Sequence, residues 1–207
     1  MVGGFEMAYK IEEMKHGHIS KVVEVHLAGF LGFFLTFLGP SFLRELYSSL
    51  IEDPYGVCLV ALEADEVVGF AAGTSRSSGI YSRLMRQRLI RFALAVLPAV
   101  LKKPTIIPRL LRGVTDPQSQ PASDEKRGRL MSIAVDPQQQ GKGIGKLLVS
   151  EFLELASQRG ARQVDLTTDK VDNQPTNLFY QRLGFIIERS YTTPEGREMN
   201  QYLIDLE

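Results

Sequence analysis

Apolar and polar positions in this chain repeat with two different periods. Ile19, Val22, Val23, His26 and Phe30 recur at helical spacing, which predicts a helix over His18–Phe30. Gly39-Pro40 interrupts it, and a second helix over Phe42–Ile51 carries Phe42, Leu43, Leu46, Tyr47 and Leu50 on one stripe, with Ser41 as N-cap and Asp53-Pro54 as its end. A short strand, Tyr9–Met14, precedes both. Two β-rich runs, Val57–Glu63 and Val67–Thr74, flank Ala64-Asp65-Glu66 and read as a hairpin.

From Ile80 to Arg112, Arg and Lys alternate with apolar residues in a helical rhythm broken by Pro98, Pro104 and Pro108, which predicts two or three inserted helices. A polar loop marked by Pro117, Ser119, Pro121 and Ser123 runs on to about residue 128. Leu130–Val135 then resumes as an apolar strand. Helix Ile144–Arg159, strand Gln163–Thr168, helix Thr176–Leu183 and strands near Phe185–Tyr191 and Glu198–Leu206 complete the chain. An antiparallel start followed by a βαβα end implies an α/β fold, with helices on the faces of one mixed sheet. No internal repeat is visible, and 207 residues suit one domain.

Composition narrows the chemistry. The lone cysteine, Cys58, excludes an internal disulfide framework, and His16, His18 and His26 read as solvated positions rather than metal ligands. No metal is expected. Equal counts of 24 basic and 24 acidic residues argue against a nucleic-acid binder. The longest apolar runs, Leu27–Leu38 and Phe92–Leu101, fall short of the ~20 residues of a membrane span, and the start lacks a secretory pattern, so a cytoplasmic location is expected.

The segment from Leu130 to Lys146 carries the chemistry. It reads as strand, glycine-rich turn and helix, with Ile144, Leu147, Leu148, Phe152 and Leu155 on the helix's apolar face. Unpaired amides at a helix start lie at the positive end of the helix dipole, and glycines let phosphate oxygens approach. A Walker turn would require Lys-Ser/Thr after the final glycine, and a dinucleotide fingerprint would require glycine at Lys146; neither is present.

A second element lies 33 residues beyond Gln140: Asn173, Thr176, Phe179, Tyr180, Gly184 and Phe185, in the pattern N-x-x-A-x-x-F-Y-x-x-x-G-F with Thr for Ala. With Gln140, Gly143 and Gly145 in Q/R-x-x-G-x-G/A, the chain resembles the GNAT superfamily of acyl-CoA-dependent N-acyltransferases. The close match spans about Leu130–Phe185; the earlier elements agree only in order, and Ile80–Arg112 lengthens the usual connection. The resemblance implies a central mixed sheet of about seven strands flanked by helices, acetyl-CoA as co-substrate and a primary amine as acceptor.

It also implies roles. The amides of Gln140, Gly141, Lys142, Gly143, Ile144 and Gly145 would cradle the pyrophosphate, with Lys142 and Lys146 adding charge. Ile133 and Val135, on a central strand splayed from its neighbour, would pair with the pantetheine arm, and the Ile133 N–H would face the thioester oxygen. Asn173 would hydrogen-bond the arm. Phe179 would serve as core or pack beneath the cofactor. Tyr180 would protonate the departing thiolate or merely pack against the sheet. Where some family members hold a carboxylate, four residues before the oxyanion donor, this chain has Arg129, and no general base is named. Cys58 has no nucleophilic setting.

The acceptor side stays open. Val67–Thr115 holds nine cations and no acid, leaving the remainder at minus nine. A solvated helical face, a contact for anionic lipid and a wall for an anionic acceptor all fit that imbalance. Arg83 and Arg86 are the cations that would grip phosphates. Gly29–Pro40, rich in Phe and Gly, serves as core packing or as a bendable acceptor lid. The reading favoured is acetyl transfer to a small-molecule amine such as an amino sugar, in a ternary complex, by a monomer or homodimer. The alternatives are a protein N-acetyltransferase and a non-catalytic acyl-CoA-binding module.

Overall fold

Among residues 9–30, 33–106 and 124–206, which the computed structural model describes, seven strands join one sheet. They are β1 Lys10–Glu13, β2 Gly56–Glu63, β3 Glu66–Thr74, β4 Arg127–Val135, β5 Gln163–Asp169, β6 Ile186–Thr192 and β7 Glu198–Asp205. Their order across the sheet is β1-β2-β3-β4-β5-β7-β6, with β4 and β5 parallel and the other pairs antiparallel. The β2–β3 hairpin turns through Ala64 and Asp65, both at positive φ (48° and 69°), a geometry that matches strand twist.

The helices are α1 Ile19–Gly29, α2 Phe34–Leu38, α3 Pro40–Glu52, α4 Ile80–Lys102, α5 Ile144–Gln158 and α6 Gln174–Arg182. One face of the sheet is covered by α1, α3 and the start of α4, where Val22, Leu43, Tyr47, Ile80 and Leu84 pack on Phe70, Ala72 and Ala134. The other is covered by α5 and α6, where Leu148, Phe152 and Tyr180 meet Ala71, Leu130, Val164 and Tyr202. The period-2 pattern of β3 thus feeds two cores at once.

Several expectations change. The second helix starts at Pro40, with Gly39 as its cap and no side-chain cap bond, so Ser41 is not the N-cap; a proline in the first turn lacks only an amide that would have no partner there. The aromatic run contains a short helix, α2, that its glycines hide. The central strand begins at Arg127, not Leu130, because Arg127 and Arg129 are buried and neutralised there. His26 is buried at 2% exposure rather than solvated.

Among the described residues the insertion is two helical segments that run on as α4 to Lys102 across a kink, followed by a 3-10 turn at Pro104–Ile106. Its non-helical residue is Arg88 (φ −139°, ψ 26°), not Pro98. Pro98 lies on the exposed side, where water can take the carbonyl that proline leaves without a donor. The remainder of the expected insertion, 107–112, and the loop marked by Pro117, Ser119, Pro121 and Ser123 lie outside the described residues.

Candidate acetyl-transfer site

The sheet is open at its centre. Parallel pairing joins Arg127, Gly128 and Arg129 to Gln163, Val164 and Asp165, and stops there. Beyond Arg129, β4 continues along β3 while β5 continues along β7, so the two strands diverge. The β3–β4 register slips between Ala72 and Gly73, making Met131 an extra residue where the gap begins. The Asp136 N–H donates to the Val68 carbonyl (2.9 Å), toward β3. Alternation along a strand then turns the N–H and C=O of Val135 and Ile133 away from β3, into the gap. Their side chains pack with the α5–α6 core.

At the C-terminal end of β4 the chain turns into α5. Asp136 caps a short 3-10 turn by accepting the Gln138 N–H (2.8 Å), and Gln140 Nε2 donates back to the Val135 carbonyl (3.4 Å). Gly141 (φ 80°) and Gly143 (φ 84°) take left-handed conformations that suit glycine. A Cβ at either would meet nothing within 4 Å, so the turn opens to solvent. Gly143 is the N-cap of α5, whose start has no side-chain cap and no acid in its first turn. Its first amides therefore point outward as donors. Lys142 and Lys146 are exposed on this turn, and Lys142 Nζ also donates to Gln139 Oε1. The arrangement fits a diphosphate.

The second motif meets this turn from α6. A Cβ at Gly145 would lie 3.5 Å from Phe179 Cζ and 4.0 Å from Val135 Cγ2, so the missing side chain lets α6 close against both. Phe179 is half-buried beside Tyr180, with ring centroids 5.2 Å apart. Tyr180 also packs edge-on against Phe185 at 5.6 Å. Burial raises the Tyr180 hydroxyl above the ordinary tyrosine range, which keeps it protonated. Asn173 donates from Nδ2 to Thr168 Oγ1 (2.5 Å) and to the Asp169 carbonyl (3.2 Å), fixing the loop between β5 and α6. Asn177, buried one turn later, holds the same carbonyl (2.9 Å) and accepts from Tyr202 (2.9 Å).

A buried ionic network that sequence reasoning missed closes the apex of the gap. Asp165, fully buried, accepts Arg129 Nε (2.6 Å) and Nη2 (2.8 Å), Arg127 Nε (2.9 Å) and Gln201 Nε2 (3.1 Å). Arg127 also reaches Glu188 (2.9 Å), whose carboxyl it holds below the usual range. The signal was legible in one respect: two arginines alternating on a central strand need a buried acid opposite.

On the α1–α3 face a buried polar pair joins the two helices. His26 Nδ1 lies 2.6 Å from the Tyr47 hydroxyl. Burial lowers His26 to about 4, so the imidazole stays neutral, and its Nε2 is buried without a partner among the described residues. Burial likewise pushes the Cys58 thiol up to about 12, leaving it inert as a nucleophile. Opposite the turn, Arg197 on the β6–β7 loop grips Asp169 (2.7 Å) and sits 5.4 Å over the Phe33 ring. That contact joins the segment after α1 to the β6–β7 hairpin. Phe34, Leu35 and Leu38 of the same segment are core, while Phe33 and Phe37 are exposed. Leu31 and Gly32 lie outside the described residues.

A search of curated proteins finds an uncharacterised N-acetyltransferase of Methanocaldococcus jannaschii, 43% identical over 63 residues, 30% of this chain and 27% of that protein. The chain thus matches about a quarter of that relative's length. Among solved structures, a Desulfovibrio desulfuricans protein described as a GNAT acetyltransferase superposes with TM-score 0.63 at 18% identity, covering 97% of this chain and all of that one. A Salmonella typhimurium protein described as an acetyltransferase, solved with its cofactor acetyl-CoA, gives TM-score 0.63 at 14% identity, covering 97% and 95%. The family model for the acetyltransferase (GNAT) family matches residues 20–185, and the chain belongs to that family.

Proposed function

We propose that the protein transfers an acetyl group from acetyl-CoA to a primary amine of a small molecule, by direct attack in a ternary complex. The observation that carries this reading is the divergence of β4 from β5 beside an uncapped helix start. One continuous surface then offers donors for a diphosphate and, along Ile133 and Val135, strand-like partners for an amide-bearing arm.

In this reading the amides from Gln140 to Gly145 hold the pyrophosphate, and Lys142 and Lys146 add charge. Ile133 and Val135 pair with the pantetheine arm, and the Ile133 N–H stabilises the oxygen of the attacked thioester. Asn173, whose Nδ2 is engaged, offers Oδ1 to the arm. Phe179 packs beneath the cofactor, and Tyr180 supplies the proton for the leaving thiolate. No covalent enzyme intermediate is needed, since Cys58 is buried in β2. The acceptor enters past the Phe33 ring, an aromatic face that suits the ring of an amino sugar.

A thiol-release screen with acetyl-CoA against simple amines, amino sugars, nucleotide-linked amino sugars and peptides tests the proposal, with calorimetry for coenzyme A. Binding heat together with turnover on a small amine is the expected result. Turnover on peptides alone would move the acceptor to a protein amine. Absence of both heat and thiol would end the transferase reading.

A further inference from the structure

The outer face of α4 is apolar although it packs on nothing among the described residues. Ile90, Leu94, Leu97 and Leu101 are 75%, 64%, 48% and 73% exposed and recur at spacings of three and four, so they form one straight stripe about 16 Å long. Exposed Leu89 widens it, and Phe37 of α2, whose neighbours pack on Ala99, lies exposed beyond the helix's inner face. Isolated exposed leucines are ordinary, but a contiguous stripe of this kind marks a contact surface.

Its cations divide into two sets. Arg83 is fixed by Asp53 (2.8 Å) and the Arg76 carbonyl (2.8 Å), and Arg88 by Glu45 (2.8 Å) and Glu52. These two pin α4 to its neighbours and do not grip a ligand. Arg86, Arg91, Lys102 and Lys103 are exposed, and α4 contains no acidic residue. Arg91 and Arg44 line an open groove between α3 and α4 beside Leu94, where the acid in the lining, Glu45, is paired with Arg88. Such a groove places guanidinium groups next to apolar surface, as an acidic headgroup beside its acyl chain requires.

We propose that the outer face of α4 docks this protein on an anionic membrane surface, with the leucine stripe in the acyl boundary and the four exposed cations at the headgroups. A second copy of the chain is disfavoured as occupant, because pairing two α4 faces would oppose cations with no acid on either helix. No helix among the described residues is long and apolar enough to cross a membrane, so the contact is with the surface.

The test is flotation of the full chain with vesicles of phosphatidylcholine alone or with about 30% phosphatidylserine. Binding to the acidic vesicles at about 50 mM salt should exceed binding to the neutral ones at least tenfold and vanish near 0.5 M, as short-range screening demands. Each exposed cation is worth about a fivefold factor near such a surface, so the combined Arg86→Gln, Arg91→Gln, Lys102→Gln and Lys103→Gln variant should lose more than a hundredfold. The Ile90→Ser, Leu94→Ser, Leu97→Ser and Leu101→Ser variant should lose binding while keeping its circular dichroism and thermal midpoint. No binding at low salt, equal binding to both vesicles, or undiminished binding by the serine variant would each overturn the proposal. A dimer in sedimentation that the serine variant dissolves would instead assign the face to a second copy. None of these readouts depends on acetyl transfer.

Discussion

Replacing Asp165 by Asn perturbs the apex from which β4 and β5 diverge. The carboxylate is fully buried and takes four hydrogen bonds from Arg129, Arg127 and Gln201. Arg127 and Arg129 are only 7% and 8% exposed, so neither can recover hydration by moving outward. Asn matches the shape, but it removes the charge and aims its own N–H groups at guanidinium donors. Breaking a buried ion pair from one side costs about 3–5 kcal/mol. For a domain of this size that is a fall of roughly 6–20 °C in the thermal midpoint. Chemical and thermal unfolding measure it directly. The joint Arg129→Met, Asp165→Leu variant should lose less than the single one, since it removes a partner and the charge it leaves behind together. If Asp165→Asn unfolds within about 1 kcal/mol of the parent, the apex is not held by this network and the reasoning fails.

Three further outcomes are expected. Tyr180→Phe should lower kcat for thiol release by about 10²–10⁴ while calorimetry shows coenzyme A affinity little changed; undiminished turnover removes the assigned acid. At Gly145, Ala should be tolerated, because its Cβ makes an ordinary 3.5 Å contact with Phe179. Val should displace that ring and weaken coenzyme A binding at least tenfold, or the link between turn and α6 is not what shapes the site. His26 titrates near 4 when folded and near 6.5 when unfolded. The unfolded chain therefore binds more protons between those values, and stability falls as pH drops from about 6.5 to 4, by on the order of 3 kcal/mol in all. A His26→Gln variant that retains the full slope in unfolding curves would assign it to other groups.

The elements that carry the proposed chemistry were legible because each has a local signature. A glycine-rich turn between a strand and a periodic helix, then Asn173 through Phe185, can be read without knowing what they touch. The hairpin was equally clear, since two β-rich runs flank a short break at Ala64 and Asp65. What escaped depends on partners far along the chain. Arg127 and Arg129 look like the end of a polar loop until Asp165, 36 residues beyond Arg129, is seen to neutralise them. His26 looks like one member of a surface trio until Tyr47 supplies its partner. Pro98 suggested a break that exposure made unnecessary, while the real irregularity falls at Arg88, where side-chain bonds to α3 hold the chain.

These distant partners explain how a sheet keeps a gap in its middle. Unpaired amides inside a strand cost about 1–3 kcal/mol each when buried, and β4 would recover that by zipping onto β5. Two anchors oppose it. The Arg127–Arg129–Asp165 network fixes where pairing ends, and past the extra residue Met131 the ladder from Ser132 to Val135 holds β4 on β3. The first anchor also bears on the proposed reaction. A carboxylate has about four acceptor positions, and Asp165 fills that many, so it has none left for an incoming ammonium proton. The acid that stands opposite Arg129 thus fixes where the gap begins, and under the proposed reaction the amine arrives neutral or passes its proton through water to a group other than Asp165.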